Sequence, residues 1–360
     1  MLTILVVHPR YCVRATKQIE ALIDAGNSVV LLTKKGRVPG SLKLRLLHFK
    51  EIRYKNFFIF RFYARKVIRK LIKDFSIDII HSHNEPNYHV LDAIIAADGE
   101  IPVIYDVHDL TSLREGKPNC NEELCFKMAD GIVYSSEAFQ AKVKNVYDSK
   151  PSITIYSTPL LKNYINSKRR KNSNLKFVYQ GGIIDKSNKF YKLMIYRDYS
   201  KIFNSILEEG IELHVYGAQL KSNSEYHKLA ESDSNFILHD RIPYKELIQE
   251  LGQYDFGIAG FNMDNLYNES TEFFLNAVMP NKPFDYLFAG IPCIVYNGDM
   301  ISKIVEKYNF GVRFNGNSWR TTAESAGTFN LRKAVSTLAM DNQMPKLSDF
   351  YNKLIRQTLG

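Results

Sequence analysis

Residues 279–295 read MPNKPFDYLFAGIPCIV, a charged and aromatic segment followed by a glycine-proline turn and an apolar run. This order predicts a helix that ends at Gly290 and leads into a buried strand. The free N–H groups and the dipole of a helix N-terminus favour anions. Lys282 would add a positive charge for a diphosphate, and Asp285 could accept hydrogen bonds from ribose hydroxyls. The segment therefore indicates a nucleotide-phosphate site, although an ordinary capped helix would give the same pattern.

The length and composition of the chain predict a globular protein of two domains. Its 360 residues exceed what one core usually organises, and 45% of them are hydrophobic and 24% charged. No apolar run approaches the roughly 18 residues of a membrane-spanning helix, and residues 1–7 are too few for a signal peptide. The four scattered cysteines lack the spacing of a zinc knuckle or redox pair and are interpreted as reduced thiols: Cys12, Cys120, Cys125 and Cys293. We therefore expect a cytoplasmic protein.

Strand-like runs alternate with helical patterns along the chain, which predicts parallel sheets with helices on both faces. The expected fold class is α/β, with two doubly wound, Rossmann-like domains. Residues 1–162 are expected to form the N-terminal domain, the polar run 163–174 a linker, and residues 175–345 the C-terminal domain. Residues 346–360 are expected to form a helix that packs back on the N-terminal domain. Because ligands bind at the carboxyl ends of strands in open α/β folds, we expect a central cleft between the domains.

Residues 42–73 hold an excess of positive charge. They contain eleven Lys and Arg against one acidic residue, Glu51, an excess of ten that equals the +10 of the whole chain. Aromatic residues interleaved with these charges suit an anionic membrane surface, where each basic residue contributes about 1 kcal/mol. The predicted membrane contact consists of Arg53, Lys55, Phe57, Phe58, Phe60, Arg61, Arg65, Lys66 and Arg69.

The same segment has two other interpretations. Val67, Ile68, Leu71 and Ile72 fall at helical spacing, which is also typical of a helix with one buried face and a solvated basic face. A basic patch can also bind nucleic acid, but no recognition-module signature surrounds this one, and we expect no nucleic-acid partner. The chain also lacks G-x-G-x-x-G and G-x-x-x-x-G-K-[ST], the fingerprints of dinucleotide oxidoreductases and P-loop enzymes.

The segment 279–295 resembles the donor-binding motif of retaining glycosyltransferases of family 4, which have the GT-B fold, except that Asp285 stands where the family usually has Glu. Other segments are similar to the family in order and spacing. They are the opening residues 9–29, DIIHSHN (78–84), VIYDVHD (103–109), FVYQGGI (177–183), HVYG (214–217) and RIPYKEL (241–247).

This resemblance implies transfer of a sugar from a nucleotide-diphosphate donor, with retention at the anomeric carbon. We expect the nucleotide of the donor to be UDP. It implies no cofactor and no metal, since the D-x-D site of the other large glycosyltransferase fold is absent. His108 would orient the sugar, although a buried structural histidine is the alternative, and Lys282 would stabilise the leaving phosphate. The implied donor-binding residues are Gly181, Gly182, Lys186, Gly217, Ile242, Asn281, Lys282 and Asp285. The implied acceptor-side residues are Arg10, Arg14, His83 and Glu85.

The acceptor is expected to be a lipid-linked or surface glycan, in the assembly of a polysaccharide at the inner face of the membrane. Two departures from the family motif favour other interpretations. Its basic pair after the glycine turn is missing, with Lys186 or Lys189 as substitutes, and its first motif Glu falls at Ala277. A non-catalytic subunit that accompanies an active enzyme and a nucleotide-sugar epimerase of similar shape therefore stay open. We place His81 and His83 on opposite faces of a strand, which argues against a joint metal site.

Overall fold

The computed structural model describes residues 1–8, 10–33, 38–52, 57–84, 86–146, 150–166, 174–217, 220, 224–264, 266 and 268–359, with the backbone alone for Phe57, Phe58, Phe60 and Leu359. Most of the predicted linker lies outside these residues. The chain divides into two compact units. The first unit comprises Met1–Leu160 and Leu338–Gly360, and the second comprises Leu161–Thr337.

The first unit contains one parallel sheet. Its described strands are β1 (Thr3–Val7), β2 (Ser28–Thr33), β3 (His48–Glu51), β4 (Ile79–His83), β5 (Val103–Val107), β6 (Gly131–Tyr134) and β7 (Ser152–Thr154). They pair in the order β3-β2-β1-β4-β5-β6-β7. The chain therefore starts at a central strand, winds to one edge and then returns to build the other half, which is the doubly wound arrangement.

Helices cover both faces of this sheet, and for that reason its strands are apolar on both sides. The helices are α1 (Val13–Asp24), α2 (Gly40–Lys43), α3 (Phe57–Phe75), α4 (Tyr88–Ala97), α5 (Thr111–Glu115), α6 (Cys120–Met128) and α7 (Glu137–Lys144). Ile4 and Val6 of β1 lie in one buried cluster with Ile19 of α1. Leu5, which points the other way, lies in a second cluster with Ile68 of α3.

The second unit repeats this design. Its described strands are β8 (Lys176–Gly181), β9 (Glu212–Gly217), β10 (Phe236–His239), β11 (Phe256–Ala259), β12 (Cys293–Val295) and β13 (Gly311–Arg313), after a 3-10 turn at Leu161–Asn163. They pair in the order β10-β9-β8-β11-β12-β13. The helices are α8 (Ser200–Leu207), α9 (Glu225–Ser232), α10 (Tyr244–Leu251), α11 (Glu269–Ala277), α12 (Lys282–Phe288), α13 (Asp299–Lys307), α14 (Trp319–Ser325) and α15 (Leu331–Leu338), with a 3-10 helix at Tyr191–Arg197.

Both units are doubly wound α/β sheets, so the predicted fold class is confirmed. Within the described ranges, no helix combines the length and the hydropathy needed to span a lipid bilayer.

A long terminal helix, α16 (Met340–Leu359), belongs to the first unit. Its residues Leu347, Tyr351 and Leu354 lie in the same buried cluster as Ile4 of β1. The approach of α16 to β6 depends on Gly131. A Cβ atom at that position would lie 2.5 Å from Cδ1 of Leu354 and 2.8 Å from Cζ of Phe350.

Replacing Gly131 with alanine is therefore expected to destabilise the first unit by about 1–3 kcal/mol, because the added methyl group overpacks the contact with α16. Urea unfolding followed by circular dichroism measures the effect. Gly40→Ala is the matched control, since a Cβ atom there meets nothing within 4 Å. Equal unfolding midpoints for the two variants would contradict this account of the α16 contact.

Candidate active site

Gly181, the last residue of β8, lies against a lysine in the second unit. Gly181 has φ +132°, a backbone conformation that favours glycine. A Cβ atom at Gly181 would lie 2.6 Å from Cε of Lys282, the first residue of α12. The absence of a side chain at Gly181 therefore makes room for the Lys282 side chain across the end of the strand.

Lys282 is surrounded by aromatic rings. Its Nζ donates a hydrogen bond to the hydroxyl of Tyr179 at 2.7 Å and lies 4.4 Å from the centre of that ring. The rings of Tyr199 and Phe261 lie 5.5 and 5.9 Å away. Burial, together with the nearby Arg197, lowers the pKa of Lys282 to about 7. A bound anion would favour the charged form of Lys282.

Arg197 is the second cation of this site, and no motif in the sequence predicted it. It ends the 3-10 helix Tyr191–Arg197. Its Nη1 lies 3.2 Å from the position that a Cβ atom of Gly182 would occupy. Among the described residues, no carboxylate forms an ion pair with Arg197 or Lys282. Two unpaired cations beside a glycine turn are an arrangement suited to a diphosphate.

The position of Arg197 follows from a turn of the chain rather than from a motif. Its carbonyl accepts a hydrogen bond from the N–H of Ile184 at 3.1 Å, which returns the 3-10 helix to the end of β8. Lys186 and Lys189, the substitutes that the sequence suggested, are exposed, and Lys189 lies over the ring of Phe190 at 4.9 Å. Spacing along the sequence gave no signal for Arg197, because it stands beyond the motif.

Asp285 is buried and accepts hydrogen bonds from side chains of the second unit. The residue is 2% exposed. Its Oδ1 accepts a hydrogen bond from the Tyr244 hydroxyl at 2.5 Å, and its Oδ2 accepts one from the Gln180 side-chain amide at 3.2 Å. Burial and the adjacent Asp285 raise the pKa of Tyr244 well above its usual value, so Tyr244 donates as a neutral phenol. A ribose hydroxyl would have to share this carboxylate with Tyr244.

The remaining predicted donor residues are Gly217, Ile242 and Asn281. Gly217 ends β9, where a Cβ atom would lie 3.3 Å from Cδ1 of Ile183. Ile242 is partly buried and precedes Tyr244 by two residues. The side-chain oxygen of Asn281 is buried and accepts no hydrogen bond from the described residues. Ala277 is buried at the end of α11.

Histidines gather at the carboxyl edge of the first unit's sheet. His83 ends β4, and His108 follows β5, the neighbouring parallel strand. Nδ1 of His83 lies 2.8 Å from Nε2 of His108, and the ring of His8 stacks on that of His83 at 4.7 Å. Burial is the main cause that lowers the pKa of His108 to about 3 and the pKa values of His8 and His83 well below their usual range. All three imidazoles are therefore neutral at pH 7.

Asp106 lies beneath these histidines and is fully buried. Its carboxylate forms an ion pair with Arg14 at 3.0 Å and accepts a hydrogen bond from the Gln18 amide at 2.9 Å. Nε2 of His81 lies 2.8 Å from it. Burial alone would raise the pKa of Asp106, but Arg14 and the histidines hold it well below its usual value. Asp106 is therefore an anion with its partners in place.

The expectation that His81 and His83 point to opposite faces was wrong. Residues two apart in a strand share a face. Both rings reach Asp106, at 2.8 Å for His81 and 3.8 Å for His83. The second nitrogen of His81, Nδ1, lies 2.6 Å from the hydroxyl of Tyr351 in α16.

The predicted acceptor-side residues lie in different surroundings. Arg14 is buried in its pair with Asp106, and His83 is buried behind His108. Arg10 is exposed. Glu85 lies outside the described residues. Of these residues, Arg10 alone presents its side chain to solvent in the described part of the chain.

The predicted membrane segment forms α3, whose Val67, Ile68 and Leu71 are buried as expected for an inner helical face. Arg61 and Arg65 both pair with the buried Asp92 of α4, at 2.9 and 2.7 Å.

Lys66 of α3 lies over the ring of Phe62 at 4.6 Å, and Arg69 donates to the carbonyl of Ile95 at 3.3 Å. Arg53, Lys55 and the side chains of Phe57, Phe58 and Phe60 lie outside the described residues. Ile59 and Phe62 are 54% and 62% exposed.

Comparison with known proteins agrees with this architecture. Residues 13–157 match the family model Glycosyltransferase Family 4. Sucrose-phosphate synthase from Thermosynechococcus elongatus has a similar structure, with a TM-score of 0.68 at 10% identity over 97% of this chain and 98% of that one. Anabaena Alr3699/HepE, solved with UDP and glucose, has a TM-score of 0.64 at 13% identity over 97% and 100% of the two chains.

A UDP-GlcNAc 2-epimerase from Methanocaldococcus jannaschii also has this fold, with a TM-score of 0.55 at 10% identity over 97% of this chain and 100% of that one. None of the curated proteins matches the sequence significantly. Structural likeness at such low identity shows the fold, whereas the family match concerns the sequence of the first unit. On these findings residues 13–157 are similar to glycosyltransferase family 4, and the chain has the GT-B fold.

Proposed function

We propose that the protein transfers a sugar from a nucleoside diphosphate sugar to a lipid-linked or surface-glycan acceptor, with retention at the anomeric carbon and without a metal ion. The observation that carries this proposal is the pair of cations beside Gly181 and Gly182, Arg197 and Lys282, for which the described residues supply no carboxylate partner. Two cations can neutralise a diphosphate in the way that a bound metal ion does in other enzymes. UDP is the nucleotide we favour, and the similar fold of Anabaena HepE, solved with UDP and glucose, supports this choice.

In this proposal the chemistry depends mainly on charge stabilisation. As the bond between the sugar and the phosphate breaks, negative charge builds on the leaving diphosphate, and Lys282 and Arg197 stabilise it. The leaving phosphate oxygen takes the proton of the acceptor hydroxyl, which then bonds to the same face of the sugar. No protein nucleophile is needed on this route.

His108 is proposed to orient the donor sugar. Its side chain is 19% exposed, whereas the His83 imidazole that contacts it is buried. A neutral imidazole offers one donor and one acceptor nitrogen, and the contact with His83 occupies Nε2. The remaining nitrogen, Nδ1, can then bind a sugar hydroxyl.

Product analysis tests the proposed reaction against its alternatives. The protein is incubated with UDP-sugars alone and with a lipid-linked glycan acceptor, and the products are analysed by proton NMR. Transfer with the donor's anomeric configuration supports the proposal, and an inverted product contradicts retention. A new sugar nucleotide from donor alone would favour an epimerase, the alternative that the similar fold of the Methanocaldococcus enzyme raises. Failure to bind any donor would favour the non-catalytic subunit.

We further propose that α3 holds the protein on the anionic inner face of the cell membrane. Phe62 is exposed beside Lys66, so an apolar ring and a cation are presented together. Arg61 and Arg65 add less positive charge to this face than Lys66, because both form ion pairs with the Asp92 carboxylate. The four cysteines are free thiols, which agrees with a reducing, cytoplasmic location.

Reversing the charge of Lys66 is expected to weaken binding to vesicles that contain phosphatidylglycerol by about fivefold or more, since each basic residue contributes about 1 kcal/mol near such a surface. Co-sedimentation of the protein with vesicles of increasing anionic content measures this. Lys303→Glu, an exposed lysine of α13, is the control for net charge. Equal losses in Lys66→Glu and Lys303→Glu, or no binding by the unmodified protein, would contradict the proposed contact.

A further inference from the structure

A thiol and two imidazoles meet at the carboxyl edge of the first unit's sheet. His8 follows β1, Cys12 immediately precedes α1, and His108 follows β5. One potential ligand atom from each residue lies within 4.8 Å of the other two. Nε2 of His8 lies 3.2 Å from Sγ of Cys12. Three ligands of the types that zinc prefers therefore converge from three separate segments of the chain.

His8 is left with an unsatisfied atom. The residue is 2% exposed, and its Nδ1 has no hydrogen-bond partner in the described part of the chain. A buried polar atom without a partner is unfavourable by about 1–3 kcal/mol. Since Nδ1 contacts no acceptor or donor of the described residues, the one nitrogen contact among them that orients the ring is that of Nε2 with the Cys12 thiol. The ring is thus held with Nε2 toward the sulfur.

The spacing of these atoms suits one ion. Two tetrahedral zinc ligands, one nitrogen and one sulfur, lie about 3.6 Å apart if the bonds are about 2.05 and 2.3 Å long. The present separation of 3.2 Å therefore needs to open by only a few tenths of an ångström. The metal ion would take the place of the thiol proton, which is released to solvent as the thiolate forms.

The neighbouring set of His81, His83 and Asp106 also falls within 4.8 Å, but His81 and Asp106 are already held by hydrogen bonds and an ion pair. Asp106 binds Arg14, Gln18 and His81. A cation there would have to replace the Arg14 guanidinium, so this set is better interpreted as structural support. That support extends to the metal ligands, because His83 contacts His108 and orients its ring.

We propose that His8, Cys12 and His108 form a binding site for a thiophilic divalent metal ion, with Zn²⁺ the best match and a fourth position open to water. Metal binding at this site does not depend on the proposed donor chemistry, since it concerns the first unit alone, whereas its effect on transfer rests on the proposed function. Metal bound there would take a nitrogen of His108, the residue proposed to orient the sugar. The site would therefore inhibit transfer rather than assist it.

Cobalt is a suitable probe, because a tetrahedral Co²⁺ ion bound to a thiolate absorbs both in the near ultraviolet and strongly in the visible. The full-length protein is stripped with chelator, kept reduced with a phosphine, and titrated with Co²⁺ and then with Zn²⁺. One equivalent of Co²⁺ with a thiolate charge-transfer band, displaced by Zn²⁺, is the expected result. Absence of that band would overturn the proposal.

The Cys12→Ser variant removes the thiolate ligand and is expected to lose the charge-transfer band and at least a hundredfold in Zn²⁺ affinity, more than the loss of an outer contact. Cys120→Ser, at an exposed cysteine of α6, is the matched control and should keep both. A band that survives in Cys12→Ser and disappears in Cys120→Ser would place the metal elsewhere.

Thermal unfolding separates metal binding from folding. In chelator, Cys12→Ser should unfold at nearly the same temperature as the unmodified protein, because the serine hydroxyl is similar in size to the thiol and can take its place in the contact with Nε2 of His8. Zn²⁺ should raise the unfolding temperature of the unmodified protein and of Cys120→Ser, but not that of Cys12→Ser or His8→Gln. An equal rise in all four proteins would contradict the assignment of these ligands.

Discussion

Replacing Arg197 with glutamine is expected to lower kcat for sugar transfer by about 10²–10³-fold, the usual effect of removing one group that stabilises developing charge. The guanidinium lies beside Gly182 with no carboxylate paired to it among the described residues. Its positive charge also contributes to the lowered pKa of Lys282, which places both cations in one electrostatic environment. Loss of either cation should therefore reduce the stabilisation of negative charge on the same phosphates.

Steady-state kinetics with the donor that binds best measures this effect. Lys192→Gln removes an exposed lysine from the same 3-10 helix and is the matched control, expected to stay within about twofold of the unmodified enzyme. The double variant of Arg197 and Lys282 should lose less than the product of the two single losses, because residues that act on one group are not additive. Activity in Arg197→Gln equal to that of Lys192→Gln would remove Arg197 from the site.

The first unit is expected to lose stability steeply as the pH falls below about 6.5, the usual pKa of an unfolded histidine. His8, His83 and His108 are neutral in the folded protein, because burial lowers their pKa values. The unfolded chain binds three more protons at these positions once the pH is well below 6.5. Each histidine contributes up to ~1.4 kcal/mol per pH unit. The three together therefore lower the free energy of unfolding of the first unit by about 4 kcal/mol for each pH unit.

The sign of this effect follows from the direction of each shift. A folded pKa below the unfolded value means that acid favours the unfolded chain, so the loss begins near the unfolded pKa and continues until the folded pKa is reached, about 3 for His108. Asp106 extends the loss to lower pH, since its pKa is also held well below the unfolded value. Stability in this unit should therefore be greatest at neutral pH.

Urea unfolding near pH 7 and near pH 5 tests this linkage, and the chain offers an internal reference. The single tryptophan, Trp319, is buried in the second unit, so its fluorescence reports that unit while circular dichroism reports both. The transition of the first unit should move to lower urea in acid by more than that of Trp319. His108→Gln should reduce the pH dependence by about one third, as one of three histidine protons is removed. Parallel shifts of both transitions would contradict the expectation.

The sequence predicted well those features that depend on local order. The alternation of strands and helices predicted two doubly wound units, because apolar strands buried on both faces are recognisable one at a time. The motif at 279–295 predicted a helix near Lys282 that leads into β12, and both are present.

Other features depend on contacts that no local pattern reports. Arg197 reaches Gly182 through a turn of the chain held by a backbone hydrogen bond to Ile184. The hydrogen bond from Tyr244 to Asp285 joins two helices, α10 and α12, and the motif did not predict it either.

The basic segment shows why counting charge was insufficient. Arg61 and Arg65 were predicted to lie on a membrane-contacting surface, but both pair with Asp92, which lies on another helix. Charge in a sequence window says nothing about partners outside that window. The wrong placement of His81 and His83 was different, since the two-residue period of a strand already puts them on one face.

Calorimetric titration with UDP, GDP, ADP and CMP in the presence of chelator tests the central claim most directly. We choose about pH 6, where Lys282, with its pKa of about 7, is mostly charged. One nucleoside diphosphate should bind without metal, binding should weaken as the pH rises above 7, and both Arg197→Gln and Lys282→Gln should abolish it while Lys192→Gln preserves it. If no diphosphate binds, or if binding is unchanged in the Arg197 and Lys282 variants, the second unit does not hold the donor as proposed.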